Sequence, residues 1–515
     1  MKKFIPLFLI ALFPYSLISQ NTFVKDSLDK YVNREMQKWQ IPGVAVAIVK
    51  DGKVIVSKGY GVKDLDKKEK TDENTLFQIA SNSKAFTATS LALLQYQKRM
   101  SLDDKVQKWM KEFKLYNDYV SSTVTIRDLL CHRIGFETFQ SDMLNWGCTL
   151  SRKEIISKMK SVVPVYGFRE KYGYCNSAFL TAGEIIPLVT DTSWDDFLKY
   201  NFFIPLKMNR TSTTWDKINS DNNACLPYTL VNGQLVKMPF VNIDNLGPAA
   251  SINSCVKDLS NWLLMQLDSG RFEGKRIFPF EVLKATRQSQ MIVRDNSNPL
   301  FPSKHFQTYG LGWFMEDYNG KKIIYHNGGA NGFVTTTCFI PELNLGITVL
   351  TNTDANDLYT ALRLQIIDAF MNLPYKNYSS IYYKNFSVAT KIQDDEIKGW
   401  REIVAKKNNP PMDLKSFEGS YINSVYGTIT INSGVAVIND PDAKYQSKLA
   451  IYFSHHPQLI GVLEYMENNT FLCTYSDPEY GVKKILFAVV GGKVKSVTVT
   501  VNDFIDFMPY EFTKE

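Results

Sequence analysis

Two β-patterned regions lie far apart in this chain, with a long helix-like stretch between them, and that order constrains the fold most. Residues 42–60, "PGVAVAIVKDGKVIVSKGY", hold two β-rich runs around Asp51-Gly52. Asp-Gly between such runs signals a hairpin, because both central positions of a tight hairpin turn need positive φ. A helical run follows at 83–98, and helix-like segments continue to about residue 290. Strand patterns return in "YGLGWFMED", "KKIIYHNGGANGFVTTTCFIP" and "LGITVLTNT", before a final helix near 355–372. Strands so distant can bury their apolar faces only by joining one sheet. The expected class is therefore α+β: an antiparallel β-sheet flanked by helices, over residues 20–372.

The rest of the chain reads differently. "NYSSIYYKNFS" is polar and aromatic, "DDEIKGWREIVAKK" has the pattern of one helix, and "NNPPM" breaks it. Residues 373–412 read as a linker. From 413 to 515 short β runs recur at regular spacing ("GTITI", "KLAIYF", "FLCTY", "VKKILFAVV", "KVKSVTVTVN"), the pattern of a small all-β barrel or sandwich. A chain of 515 residues suits two or three domains.

The N-terminus, "MKKFIPLFLIALFPYSLISQN", has the form of a secretory signal peptide over residues 1–19. Lys2 and Lys3 precede an apolar stretch too short for a stable membrane span. The expectation is an exported protein, periplasmic or extracellular. Without those two lysines the formal charge is 57 − 52 = +5 (59 Lys+Arg less two, 52 Asp+Glu), which fits a solvated surface and not a nucleic-acid partner. None of the seven cysteines forms a CxxC pair, so neither a zinc site nor a cofactor is expected. Cys131–Cys148 and Cys225–Cys255 are candidate disulfides, and free buried thiols are the alternative.

Three short elements carry candidate chemistry. In "FQIASNSKAFTAT", Ser81 and Lys84 stand three apart at the start of a helical run. Residues so spaced share a helix face. A serine needs a base to become a nucleophile, and a lysine can be that base if burial lowers its pKa. Alone, the pair reads more readily as a capping serine and a surface lysine. In "YGYCNSAFL", Tyr174 and Asn176 stand two apart at a helix entry, where a tyrosine could relay a proton to a leaving group. In "YHNGGANGF", His326 lies on or ends a strand, and Gly328 and Gly329 let a substrate backbone approach.

In the order S-x-x-K, Y-x-N and H-x-G, these elements resemble the signature of class C serine β-lactamases and related penicillin-recognising hydrolases, which include DD-peptidases, D-aminopeptidases and esterases. "TIRDLLCHRIGF", "FIPLKMNRTS" (with Lys207 in place of the family's glycine), "GPAASINSCVKDLSNWL" and "YGLGWF" extend the likeness over roughly residues 25–370. The resemblance implies Ser81 as nucleophile, with Lys84, alone or shared with Tyr174, as base. Tyr174 would be the proton donor, and Asn176 would contact Lys84 and the substrate. The backbone N–H groups of Ser81 and Gly329 would form the oxyanion hole, with His326 tuning the site beside Tyr174. His132 in the "LLxH" stretch and Cys175 inside Y-x-N read as structural.

Where class C β-lactamases carry lysine, this chain has His326. A neutral histidine supplies no fixed charge for a substrate carboxylate. The expected activity is therefore acyl transfer to water on a peptide or amide, with D-amino-acid peptides among the candidates. The alternatives are an esterase, or a β-lactamase or penicillin-binding protein with slow turnover. The substrate partner is a small-molecule or peptide acyl compound, and the sequence does not set the oligomeric state. The C-terminal region resembles the lipocalin-like barrel often appended to such hydrolases. A loop from it reaching the catalytic cleft is a further expectation.

Overall fold

A computed structural model describes residues 22–295, 298–439 and 444–515. The expected signal segment, 1–19, lies outside the described residues. Among those described, nine strands form one antiparallel sheet: β1 (Gly43–Lys50), β2 (Lys53–Asp64), β3 (Glu69–Lys70), β4 (Met291–Asp295), β5 (Phe306–Tyr309), β6 (Phe314–Tyr318), β7 (Lys321–Ala330), β8 (Phe333–Ile340) and β9 (Leu345–Thr351). Their order is β4-β5-β6-β7-β8-β9-β1-β2-β3. The two β regions of the sequence thus meet at β9 and β1, where Val44 pairs with Thr351 and Lys50 with Leu345.

The hairpin turn behaves as its residues require. Asp51 has φ +49° and Gly52 φ +74°, so both central residues are left-handed. β1 is buried on both faces, and its alternation splits the core. Ala45, Ala47 and Val49 face the large helical layer. Val44, Val46 and Ile48 face the opposite layer, built from α1 (Leu28–Lys38) and α5 (Leu358–Phe370). The first layer holds α2 (Ser83–Tyr96), α3 (Asn176–Gly183) and α4 (Val256–Leu267). α2 is buried from Ser83 to Leu94, so it runs through the middle of the domain.

Residues 373–412 are mostly one helix, α6 (Tyr378–Ala405). Its first turn packs into the core of the sheet domain: Ser379 Oγ accepts from Trp39 Nε1 at 2.8 Å, and the Tyr378 hydroxyl donates to Asp368 at 2.5 Å. Its far end meets the C-terminal region through an Arg401–Glu464 ion pair.

That region is a closed antiparallel barrel of eight strands: β10 (Gly419–Asn423), β11 (Gly427–Asn439), β12 (Lys444–Phe453), β13 (His456–Glu467), β14 (Thr470–Tyr475), β15 (Val482–Val490), β16 (Lys493–Val499) and β17 (Tyr510–Lys514). Pairing of β10 with β17 closes it.

All seven cysteines are free thiols, which corrects both candidate disulfides. The thiols sit in separate packing environments. Cys148 Sγ accepts from Asn245 Nδ2 at 3.1 Å, and Cys225 Sγ lies 3.8 Å from Thr71 Oγ1.

Candidate active site

Ser81 lies in a single 3₁₀ turn, Ala80–Asn82, directly before α2. The residue ahead of it, Ala80, has φ +45°, a left-handed conformation that a side chain adopts only at a cost. This kink lifts Ser81 out of the helix. It also leaves the Ser81 amide at the opening of the turn, where the first N–H groups have no intrahelical partner. The serine is not a cap, since Asn82 holds that position.

Lys84, one turn on, is fully buried. Its Nζ lies 3.0 Å from Ser81 Oγ, 2.6 Å from Asn176 Oδ1 and 3.0 Å from the Ala249 carbonyl. The last two atoms can only accept. A neutral amine therefore spends both its N–H groups on them and turns its lone pair to the serine hydroxyl. Burial pulls Lys84 down to about 7, against the opposing pull of Asp142. The surface-lysine reading of the motif is thereby excluded.

Tyr174 comes next to Ser81 from the entry of α3. The ammonium position of Lys84 lies 4.6 Å from its ring centroid. Burial holds its phenol well above the usual range, and a hydrogen bond with Ser81 works the other way. His132 packs behind it, with ring centroids 4.4 Å apart, and His132 Nδ1 accepts from the Cys175 amide at 3.0 Å. His132 thus backs the Tyr174 ring and fixes its backbone. The Cys175 thiol is pushed up to about 12 by burial, so it offers no competing thiolate.

His326 lies within β7 and is 1% exposed. Its Nδ1 contacts the Asn327 carbonyl at 2.6 Å and its Nε2 the Tyr309 hydroxyl at 3.1 Å. Its ring centroid is 6.2 Å from that of Tyr174. Burial, then Lys84, lower it to about 3, so it is neutral at physiological pH. Its ring nitrogens engage Tyr309 and Asn327 instead of Tyr174.

The β7 edge is open where it passes the serine. β6 pairs with β7 only as far as Phe314–Tyr325, so among the described residues His326 to Ala330 have no partner strand on that side. Gly328 lets this edge close on the serine turn: a Cβ there would stand 2.1 Å from the Ile79 carbonyl oxygen. A Cβ on Gly329 would stand 3.2 Å from the Phe504 ring. Phe504 belongs to the barrel's β16–β17 connection. With Ile505 it lines the same cavity as Ser81, Tyr174, Asn176, His326, Gly328 and Gly329, a cleft of about 620 Å³. The expected reach of a barrel loop into the cleft is present in the structure.

Ser81, Lys84, Tyr174, Asn176, His326, Gly328 and Gly329 therefore converge. The sequence reading missed Asp142 and Phe504, which lie in no motif, and gave no role to Tyr309, the first residue of "YGLGWF".

Residues 28–369 match the Beta-lactamase family. The chain belongs to that family. Protein flp of Staphylococcus aureus is 28% identical over 380 residues, covering 71% of each chain. Unguisins hydrolase ungD' of Aspergillus campestris is 25% identical over 439 residues, covering 81% of this chain and 80% of that protein. Among solved structures, the octameric penicillin-binding protein homologue from Pyrococcus abyssi shares the fold at a TM-score of 0.60 and 20% identity. It covers 94% of this chain and 99% of its own. A D-stereospecific amidohydrolase from Streptomyces shares it at a TM-score of 0.51 and 21% identity, covering 61% and 90%. The family member is a serine hydrolase.

Proposed function

We propose that this chain is an exported serine hydrolase that cleaves peptide or amide bonds through an acyl-enzyme on Ser81. One observation carries the reading. The Nζ of a wholly buried lysine, whose burial lowers its pKa to about 7, lies 3.0 Å from Ser81 Oγ.

The steps follow from that geometry. Lys84, as free amine, takes the Ser81 proton while Oγ attacks the substrate carbonyl. The developing oxyanion takes hydrogen bonds from the amides of Ser81 and Gly329. Tyr174, protonated at neutral pH, passes a proton to the leaving amine. Water then attacks the acyl-enzyme by the same route in reverse. Asn176 holds Lys84 and offers its amide to the substrate. His326, uncharged, puts no fixed cation at its own position in β7, which favours neutral amide or peptide acyl groups there over β-lactam carboxylates, although Arg294 lines another part of the cleft. The open edge of β7 suits an extended peptide, which can add to it as a strand. The relative from Aspergillus campestris is named as a hydrolase of unguisins, which supports a hydrolytic role for chains that match over this length.

The test is turnover of D- and L-aminoacyl amides, short acyl esters and benzylpenicillin, with intact-protein mass read in parallel. Ser81→Ala should lower turnover on the order of 10⁴-fold or more with the fold retained. Unchanged turnover in that variant sinks the mechanism. Faster hydrolysis of penicillin than of any amide overturns the substrate class. Mass of the secreted protein starting at Gln20 supports export; a full-length intracellular product opposes it.

A further inference from the structure

One buried carboxyl touches the reacting groups without a part in those steps. Asp142 opens the short helix Asp142–Asn145 and is 3% exposed. Its Oδ2 accepts from Asn176 Nδ2 at 2.5 Å, and its Oδ1 from Asn145 Nδ2 at 3.0 Å. Across the domain boundary stands Asp506, from the β16–β17 connection of the barrel, 1% exposed. Asp506 is surrounded by donors: the amides of Met143 (3.2 Å) and Met508 (3.0 Å), and the hydroxyls of Tyr426 (3.0 Å) and Tyr510 (3.1 Å).

The two acids are unequally supported. Four donors stabilise the ionised form of Asp506, whereas Asp142 has two amides and faces the other anion. Two buried carboxylates that feel each other's charge resist ionising together. The neighbouring Asn145 amide can serve either protonation state without a change of shape, as a donor to an ionised Asp142 or, turned over, as an acceptor to a protonated one.

We propose that Asp142 is a positioning residue and that Asp506 of the barrel governs it: through the Asn176 amide, the pair sets how readily Lys84 releases its proton. This rests on the Ser81–Lys84 reading above. Asp142 takes Asn176 by its Nδ2, so Oδ1 must face Lys84. A neutral Asp142 leaves Lys84 free to be an amine, while an ionised one holds the ammonium. Asp506 keeps Asp142 neutral, so the barrel maintains the base of a distant domain. The directions agree: burial, then Asp506, raise Asp142 to about 7, and burial raises Asp506 to about 6. The other titratable groups facing Asp142 are Lys84 from α2, and Tyr174 and Cys175 from the entry of α3. Tyr426 and Tyr510 reach it only through Asp506. His132 and His326 stand on the Lys84 side, both held neutral by burial.

The experiment is the pH profile of kcat/KM for the full-length enzyme, with p-nitrophenyl acetate as acyl donor. Asp142→Asn removes the potential anion and should move the acid limb to lower pH by about half a unit or more. Asp506→Asn frees Asp142 to ionise and should move it to higher pH. Tyr510→Phe, which removes one donor from Asp506, should move it the same way by less, and it covers the case in which Asp506→Asn does not fold. Limbs that stay in place, or that shift in the same direction for Asp142→Asn and the Asp506 or Tyr510 variants, overturn the proposal. If Ser81→Ala retains activity, the acyl-enzyme reading fails first. If Ser81→Ala is inactive and the limbs do not move, only the present inference fails.

Discussion

The two domains bury opposite kinds of matter at their centres. In the catalytic domain, the middle of the helical layer holds Lys84, His132, Asp142 and Asn176, all between 0 and 5% exposed. In the barrel, the centre is an aromatic cluster. Phe417 lies 5.0 Å from both Phe471 and Phe487, and those two lie 5.2 Å apart. A small barrel whose interior is filled by side chains is a packed core and not a vessel. Two of its buried ionisable groups lie at the contact with the catalytic domain: His456 against the Trp146 carbonyl, and Asp506 against the Met143 amide. One domain thus accepts strain inside for the sake of chemistry. The other is conventionally stable and works through its rim.

Three variants would break or sharpen that contrast. The largest effect is expected from Lys84→Met, which should abolish turnover, by about 10³-fold or more, without lowering Tm. The reason is the sign of its pKa shift. Lys84 is lowered from 10.5 to about 7. Between those values the unfolded chain holds a proton that the folded one lacks, so this group's contribution to stability rises with pH through that window. Below about pH 7 the buried cation costs most, and methionine removes that cost. A clear fall in Tm would show that the lysine stabilises the fold. The next effect is Phe471→Ala in the barrel, with an expected loss of about 3–5 kcal/mol in chemical denaturation. A loss near zero would mean that the barrel core is not the packed unit described.

The smallest effect is Phe504→Ala. This ring is 37% exposed, so stability should change by less than about 0.5 kcal/mol. Its position on Gly329 makes it a wall of the cleft, and kcat/KM for bulky acyl groups should rise several-fold relative to small ones. An unchanged ratio would remove Phe504 from specificity.

The contrast also explains what could be read in the sequence. The Asp51-Gly52 turn, the helix at 83–98 (observed to Tyr96) and the strand pattern of the barrel are local signals, set by a few adjacent residues. The motif residues were legible because their spacing is itself the chemistry. Asp142 was not, because its partner Asn176 lies 34 positions away and no spacing links them. Phe504 looks like any surface aromatic until the barrel is docked. The first half of α6 was legible in principle. Tyr378, Tyr382 and Phe386 recur every four residues and pack on the catalytic core, a helical stripe within a segment that reads as merely polar and aromatic. The middle region held hairpins too short to show a period, such as Tyr228–Val231 with Gln234–Lys237.

The pairing of β1 with β9 has a kinetic consequence. Val44 cannot meet Thr351 until synthesis has delivered both. That one ladder waits on a loop of about three hundred residues, while the other neighbours in the sheet are consecutive strands, and closures of such high contact order are slow. Until then β1, paired with β2 on one side, keeps its other edge open on a continuous apolar strand, a point of aggregation in the nascent chain. The two halves of the sheet can therefore form first as separate local hairpins, and the last ladder to close is the one that joins them.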